Sequence, residues 1–223
     1  MARRLTPFVN GEIYHVFNRT IYKGAIFNSA GNCERAVETI KFYLPENATI
    51  RYSHFLLLNK EDRSNFLKQM LNSPRIVDLI SYCIMPTHFH LLLRQNSEDG
   101  IEKFMRKFLI SFTKYFNLKN NGEGPLFKSQ FKSVKIEDES QLLHVNRYIH
   151  LNPFSSKIVK NISDLENYRW SSLPEYIGKS MESICEKSII LSNFKNAAEY
   201  RKFVFDQADY QKRLKEIRHL IVE

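Results

Sequence analysis

The positions of apolar residues change from a strand-like to a helix-like period several times along the chain. Apolar runs of four to eight residues are typical of strands, and a repeat every three to four residues is typical of a helix. The clearest helix is predicted for residues 98–118, where apolar residues fall at i, i+3, i+4, i+7, i+8, i+11 and i+14 from Ile101. Strands are further predicted at 11–18, 76–84 and 87–93, and helices at 31–44, 61–72 and 138–152.

Four other segments carry weaker patterns. Residues 50–58 could be a strand or the start of a helix, and residues 127–136 a strand or an extended basic arm. Residues 154–178 read as irregular, and residues 181–223 suggest two short helices. Helix 138–152 has Asp138 as its predicted N-cap and must end near Asn152, because Pro153 follows it.

The composition narrows the class of protein. The chain has 223 residues, 43% of them hydrophobic and 13% aromatic, with only 7 glycines, which favours a well-packed α+β or α-rich protein. The longest apolar run is far too short to span a membrane, and no signal peptide opens the chain. Three cysteines without metal-site spacing indicate ordinary thiols, so we expect a cytoplasmic protein with no membrane partner.

The net charge points to a polyanionic partner. The chain carries a formal charge of +9, and residues 101–135 hold eight basic residues against two acidic ones. A basic central segment suits nucleic acid, although a basic protein can also be merely soluble.

Two histidines flank one apolar residue in the predicted strand 87–93. Because strand side chains alternate, His88 and His90 share one face and Phe89 takes the other. Two adjacent imidazoles can bind one divalent metal if a third ligand is supplied. Alone this pattern is weak, since histidines two residues apart also occur by chance.

The predicted helix 138–152 carries a second candidate group. Tyr148 and Asn152 lie four residues apart on one helix face, with His144 one turn earlier. A tyrosine hydroxyl can attack a DNA phosphodiester when a base or a metal assists it. The alternatives are a packing tyrosine and an asparagine that stops the helix before Pro153.

These two segments together resemble a known family. Residues 82–93 (YCIMPTHFHLLL) and, about 55 residues later, 147–153 (RYIHLNP) resemble the single-tyrosine HUH transposases of bacterial insertion sequences, of IS200 type, and especially the REP-associated tyrosine transposases. Residues 14–19, 124–133, 168–172 and 175–178 fit the same pattern in order. The resemblance spans residues 8–178 and implies a ferredoxin-like or RRM-like α+β sandwich with a central antiparallel sheet. We therefore expect a transposase domain at 1–178 and a helical extension at 179–223.

The resemblance also implies a mechanism and a set of site residues. Tyr148 matches the nucleophile, and His88, His90 and Asn152 match the ligands of Mg²⁺ or Mn²⁺. The family cleaves single-stranded DNA beside hairpins, leaving a 5′-phosphotyrosine and a free 3′-OH. Basic side chains expected to contact DNA are Arg19, Lys107, Lys114, Lys128, Lys132 and Arg147.

Two departures from the family pattern and several alternatives accompany this assignment. Residues 128–130 read Lys-Ser-Gln where many relatives have Gln-Gly-Arg, and Thr87 stands where Asn or Glu is commoner.

A domesticated protein that binds structured DNA or RNA without cleaving it would fit the charge equally well. A rolling-circle initiator shares the two histidines, but the chain shows no helicase domain. The sequence allows either a monomer or a homodimer, and the apolar and basic residues of 212–221 could pack, dimerise or contact DNA.

Overall fold

Four antiparallel strands form a single sheet in the order β2-β3-β1-β4. The computed structural model describes residues 7–22, 24–180 and 183–209. The strands are β1 (Ile13–Arg19), β2 (Val77–Met85), β3 (His88–Gln95) and β4 (Lys132–Lys135). The helices are α1 (Ala30–Phe42), α2 (Tyr52–Phe55), α3 (Lys60–Leu71), α4 (Gly100–Lys119), α5 (Glu139–Ser155), α6 (Leu173–Tyr176), α7 (Ser188–Leu191) and α8 (Ala197–Phe205), with a 3-10 helix at Ile162–Asn167.

The connections give the sheet a ferredoxin-like arrangement. β2 and β3 form a hairpin, β3 pairs with β1, and β1 pairs with the short edge strand β4. Helices α1 to α3 connect β1 to β2, and α4 connects β3 to β4. This confirms the expected α+β fold and the strands and helices predicted from apolar periodicity, with bounds shifted by one to three residues.

One face of the sheet, here called the aromatic face, is covered by α1 and α4. Phe89 of β3 points into this layer, with its ring 5.2 Å from Phe108 and 5.8 Å from Phe127. Phe112, one helical turn after Phe108, packs on Phe27 at 4.9 Å. These side chains are almost completely buried, so the aromatic face is an apolar core.

The opposite face, here called the histidine face, receives α5. Strand alternation turns His90 away from Phe89, and α5 crosses this side of β2 and β3. The predicted N-cap is confirmed, because the side chain of Asp138 accepts a hydrogen bond of 2.7 Å from the Gln141 amide.

The predicted end of this helix was wrong. The helix continues through Pro153 to Ser155. Proline removes only the one N–H that would have bonded the carbonyl of Ile149, and the Ser156 amide still donates to the Asn152 carbonyl at 2.9 Å. Asn152 is therefore an interior helix residue and not a stop.

The chain after α5 closes the free edge of β2. The Ile84 amide donates to the Trp170 carbonyl, and the Ser172 amide to the Tyr82 carbonyl. Further on, the Glu186 amide donates to the Leu79 carbonyl at 2.8 Å. The segment predicted as irregular thus includes strand-like pairing, the 3-10 helix and α6.

Helices α7 and α8 agree with the two short helices expected near the C-terminal end, while residues 212–221 lie outside the described residues. The domain division at residue 178 stays a prediction. In the part of the chain that the structure describes, no helix is both long enough and apolar enough to cross a membrane.

Candidate active site

The two histidines of β3 lie side by side on the histidine face. Their ring centroids are 5.1 Å apart, and strand pairing sets Phe17 opposite His90 and Arg19 opposite His88. His90 is buried and His88 is half-buried. One side of the pair is therefore enclosed by protein, and the other is open toward the end of β1.

A third histidine, which the sequence analysis did not single out, joins this pair. His15 of β1 lies on the same face, and its Nε2 is 2.9 Å from Nδ1 of His90. Burial lowers the pKa of His15 from 6.5 to about 4. The alternation of β1 could have placed His15 on a defined face, but only the strand register shows that it meets His90.

Both histidines of β3 are held through the same ring atom. Nδ1 of His88 is 3.1 Å from Oγ1 of Thr87, and Nδ1 of His90 meets His15. If a metal were bound through Nε2 of each ring, Nδ1 would be oriented by a protein partner, as is general for histidine ligands. This arrangement requires that Nδ1 of His90 carries a proton and donates a hydrogen bond to Nε2 of His15.

The ring of Tyr148, in α5, lies next to the rings of His90 and His15. Its ring centroid is 5.6 Å from that of His90 and 6.1 Å from that of His15, edge-on in both cases. The side chain is half-buried. Tyr148 of the helix and His90 of the strand therefore lie next to each other within one chain.

Asn152 follows Tyr148 by one helical turn and is completely buried. Its Nδ2 donates a hydrogen bond of 3.0 Å to the carbonyl of Tyr148, so the amide orientation is defined by the helix. Among the described residues, no group of three or more His, Cys, Asp or Glu side chains could hold a metal ion. A metal site here would consist of two imidazoles and the Asn152 amide oxygen, and this donor set suits Mn²⁺ or Mg²⁺ with open positions for substrate and water.

The basic residues expected to contact DNA separate into three places. Arg19 is exposed at the end of β1, and the Lys128 amide donates to its carbonyl at 3.0 Å. Lys132 of β4 is also exposed and is paired with Phe17, so these three residues lie near the end of β1 that carries Phe17 and Arg19. Two further residues of the set, Lys107 and Lys114, lie on α4, on the opposite side of the sheet.

Arg147 occupies the third place. Its guanidinium stacks on Phe203 at 4.5 Å and donates to the Phe203 carbonyl at 3.5 Å, and it is 2.6 Å from Nδ1 of His144. The described contacts of Arg147 thus join α5 to α8. Its role at DNA stays a prediction.

A buried polar network fixes the far side of α5. Nδ1 of His150 is 2.7 Å from Oη of Tyr200, whose hydroxyl donates to Oδ1 of Asn146. Nε2 of His150 is 2.7 Å from Oγ of Ser172, on the segment that pairs with β2. Complete burial lowers the pKa of His150 to about 3, so this ring stays neutral and ties α5 to α8 and to the sheet.

Comparisons with known proteins agree with this fold. The model of the family of IS200-like transposases matches residues 48–152, which include His88, His90, Tyr148 and Asn152 but not His15. Among solved structures, a REP-associated tyrosine transposase bound to a REP hairpin superposes with a TM-score of 0.52. The match covers 82% of this chain and 90% of that chain at 13% sequence identity, which shows a common fold. No curated protein is similar enough to count as a relative.

The sheet is ferredoxin-like, and residues 48–152 resemble the IS200-like transposases. The chain is thus similar to the IS200-like transposases over slightly less than half of its length, and it shares its fold with a REP-associated tyrosine transposase. The resemblance seen in the two sequence motifs is thereby confirmed.

Proposed function

We propose that this protein cleaves and rejoins single-stranded DNA with Tyr148 as the nucleophile. The observation that carries the proposal is the packing of the Tyr148 ring against His90 within one chain, at 5.6 Å between centroids. A packing tyrosine would need no pair of strand histidines beside it. The IS200-like family supplies the class of reaction, which is DNA strand transfer.

The chemistry follows from the tyrosine hydroxyl. Oη of Tyr148 attacks the scissile phosphorus and loses its proton, while the bond from phosphorus to the 3′-oxygen breaks and that oxygen leaves as a hydroxyl. The 5′ end of the DNA remains joined to the tyrosine through a phosphodiester. Attack by a 3′-hydroxyl reverses the step and rejoins a strand without ATP, because the energy of the broken bond is kept in the intermediate.

The strand histidines and Asn152 would hold Mg²⁺ or Mn²⁺ in this scheme. When bound, the ion supplies neutralisation of negative charge on the scissile phosphate. His15 orients His90 through its Nδ1, and Thr87 does the same for His88. Asn152 is fixed relative to the nucleophile by its bond to the Tyr148 carbonyl. The side chains that would bind the metal are thus oriented by hydrogen bonds before the substrate binds.

The substrate proposed is single-stranded DNA next to a hairpin. The structurally similar REP-associated transposase is bound to a REP hairpin, and the resemblance in sequence implies the same class of target. Arg19, Lys128 and Lys132 are exposed near the end of β1 beside the site, where they would contact the phosphates of the single strand.

A tyrosine-to-phenylalanine substitution tests the nucleophile. The Tyr148→Phe variant should lose cleavage of a labelled hairpin oligonucleotide with a single-stranded flank by a factor of roughly 10³ or more, with Mn²⁺ or Mg²⁺ present. Covalent protein–DNA adduct on a denaturing gel should vanish with it. Tyr22→Phe, at an exposed tyrosine outside the site, is the matched control and should cleave at the wild-type rate.

Two outcomes would contradict the proposal. Cleavage at the wild-type rate by Tyr148→Phe would show that another group is the nucleophile. Tight binding of the oligonucleotide by the wild-type protein without any cleavage or adduct would instead favour the non-catalytic DNA-binding alternative.

A further inference from the structure

Helix α8 packs against α5, the helix that carries Tyr148. It also has an anchor of its own, because the guanidinium of Arg201 forms an ion pair with the carboxylate of Glu166 in the 3-10 helix. The side chain of Asn196 caps the start of α8 by accepting a hydrogen bond of 2.9 Å from the Glu199 amide. The position of α8 is therefore fixed by more than its contacts with α5.

One hydroxyl of α8 connects two side chains of α5. Oη of Tyr200 donates a hydrogen bond to Oδ1 of Asn146 and lies 2.7 Å from Nδ1 of His150. Because the single proton of the hydroxyl goes to the asparagine, its oxygen accepts the N–H of the imidazole. All three side chains are completely buried, and the Tyr200 ring packs on Phe194 at 5.2 Å between centroids. Tyr200, Asn146 and His150 are here called the α8 clamp.

The two α5 residues of the α8 clamp lie on the side of the helix opposite Tyr148. Asn146 comes two residues before Tyr148 and His150 two residues after it, so both lie about 160° around the helix from it. Asn146 and His150 are four residues apart and are therefore neighbours on that side. A single hydroxyl thus holds the helical turn on which Tyr148 is placed.

A second contact joins α8 to the residue directly before Tyr148. The guanidinium of Arg147 stacks on the ring of Phe203 at 4.5 Å and donates to the carbonyl of the same residue at 3.5 Å. Both side chains are half-buried. Helix α8 therefore contacts three of the four residues that lie within two positions of Tyr148 in the sequence.

Hydrogen bonds define the rotation of α5 more sharply than apolar packing does. α5 packs on β2 and β3 and buries apolar side chains such as Leu142 and Ile149. Contacts between such side chains depend weakly on orientation, whereas a hydrogen bond weakens steeply when its angle changes. A rotation of α5 would move the hydroxyl of Tyr148 relative to His90, and a displacement of about 1 Å can slow a reaction roughly 100-fold. The bonds of the α8 clamp therefore bear on the reactivity of this tyrosine.

We propose that Tyr200 is a positioning residue for the cleavage reaction: through the α8 clamp it sets the rotation of α5 and thereby the place of Tyr148 beside His90. The proposal rests on the proposed function, because the role is defined relative to Tyr148 as the nucleophile. The family match covers residues 48–152 and does not include α8, so the role is assigned from the contacts of this chain alone. Tyr200 is completely buried and acts through α5, not on the substrate.

The rate of covalent adduct formation at saturating hairpin oligonucleotide tests this role, with the Kd of the oligonucleotide measured separately. Tyr200→Phe keeps the buried ring and removes the hydroxyl, so adduct formation should slow by roughly 10- to 100-fold while Kd stays within about twofold of wild type. Phe203→Leu removes the stacking partner of Arg147 at a half-buried position and should slow the reaction roughly threefold.

Tyr52→Phe is the matched control for the loss of a buried hydroxyl. Tyr52 of α2 is buried, and its hydroxyl donates to Oε2 of Glu38 in α1 at 2.7 Å, away from α5. This variant should form the adduct at the wild-type rate. Denaturant unfolding of each full-length variant shows that it is folded at the assay temperature.

The outcomes distinguish the role of Tyr200 from the proposed function. A wild-type rate of adduct formation in Tyr200→Phe, or in Phe203→Leu if Tyr200→Phe does not fold, would overturn the positioning role alone. An equal loss of rate in Tyr52→Phe would also overturn it, because the cause would then be general stability. A loss in Tyr200→Phe that lies in Kd and not in the rate would assign α8 to DNA binding instead. Absence of any adduct in wild type would overturn the proposed function and the positioning role together.

Discussion

The two faces of the sheet contain neighbouring residues of the same strand but are built in opposite ways. On the aromatic face, Phe89 packs against α4 in a core of phenylalanine rings. On the histidine face, His90 meets His15 and Tyr148, and farther along α5 the buried His150 is held by Tyr200 and Ser172. A one-residue step along β3 therefore changes an apolar interior into a polar one.

This difference shows how the fold separates stability from chemistry. Close-packed rings need no particular orientation of hydrogen-bonding groups, and their stabilisation scales with buried apolar area. Imidazole and hydroxyl groups must be paired when buried, so the histidine face is specified by individual bonds. We expect the aromatic face to dominate stability and the histidine face to dominate reactivity.

Replacing one phenylalanine by alanine on each face should give the largest expected difference in the free energy of unfolding. Phe108→Ala should reduce the free energy of unfolding by about 3–5 kcal/mol, because a completely buried ring leaves a cavity against Phe89. Phe17→Ala, on the histidine face, removes a half-buried ring and should cost less than half as much. Denaturant unfolding of both variants measures the difference, and equal losses would contradict the division between the faces.

The pH dependence of stability should come from the buried polar network on the far side of α5. His150 is completely buried, and its pKa is lowered from 6.5 to about 3, so the unfolded chain binds a proton that the folded chain does not. Its contribution to the free energy of unfolding is fully present above pH 6.5 and is lost as the pH falls. At pH 5 the loss amounts to about 2 kcal/mol. Denaturant unfolding at pH 7 and pH 5 should show this loss in wild type.

His150→Gln is the variant that assigns this effect. It removes the titrating ring, so the difference in unfolding free energy between pH 7 and pH 5 should shrink by most of that amount. A difference as large as in wild type would mean that other groups cause the acid sensitivity.

A smaller effect is expected from the histidine that supports the proposed metal ligands. His15→Leu removes the partner of Nδ1 of His90 and should weaken Mn²⁺ binding by about 10- to 100-fold. His15→Gln retains an acceptor on the side chain and should recover most of that affinity. Isothermal titration with Mn²⁺ alone measures this without any cleavage step, and equal affinities of wild type and His15→Leu would exclude the positioning role.

The sequence predicted the parts of the molecule that depend on local pattern. The stripe that begins at Ile101 predicted α4, and Asp138 predicted the start of α5, because periodicity and capping are encoded within a few residues. Strand alternation likewise placed His88 and His90 on one face. These features need no knowledge of distant contacts.

The parts that were missed depend on contacts between distant segments. His15 meets His90 only through the register of β1 with β3, and His150 finds Tyr200 fifty residues away. Pro153 reads as a helix stop in sequence, yet α5 continues past it, with Asn152 inside the helix. Basic residues near one another in sequence also separated, since Lys114 lies behind the sheet and Lys128 beside the site.

We propose that one chain supplies both halves of a single cleavage site. The most direct test mixes two inactive variants, His90→Ala and Tyr148→Phe, and assays cleavage of the hairpin oligonucleotide with its single-stranded flank. Each variant chain then lacks one half of its own site, so we expect the mixture to stay as inactive as either variant alone. Recovery of a substantial part of wild-type cleavage would show instead that the tyrosine helix of one chain completes the site at the histidines of another.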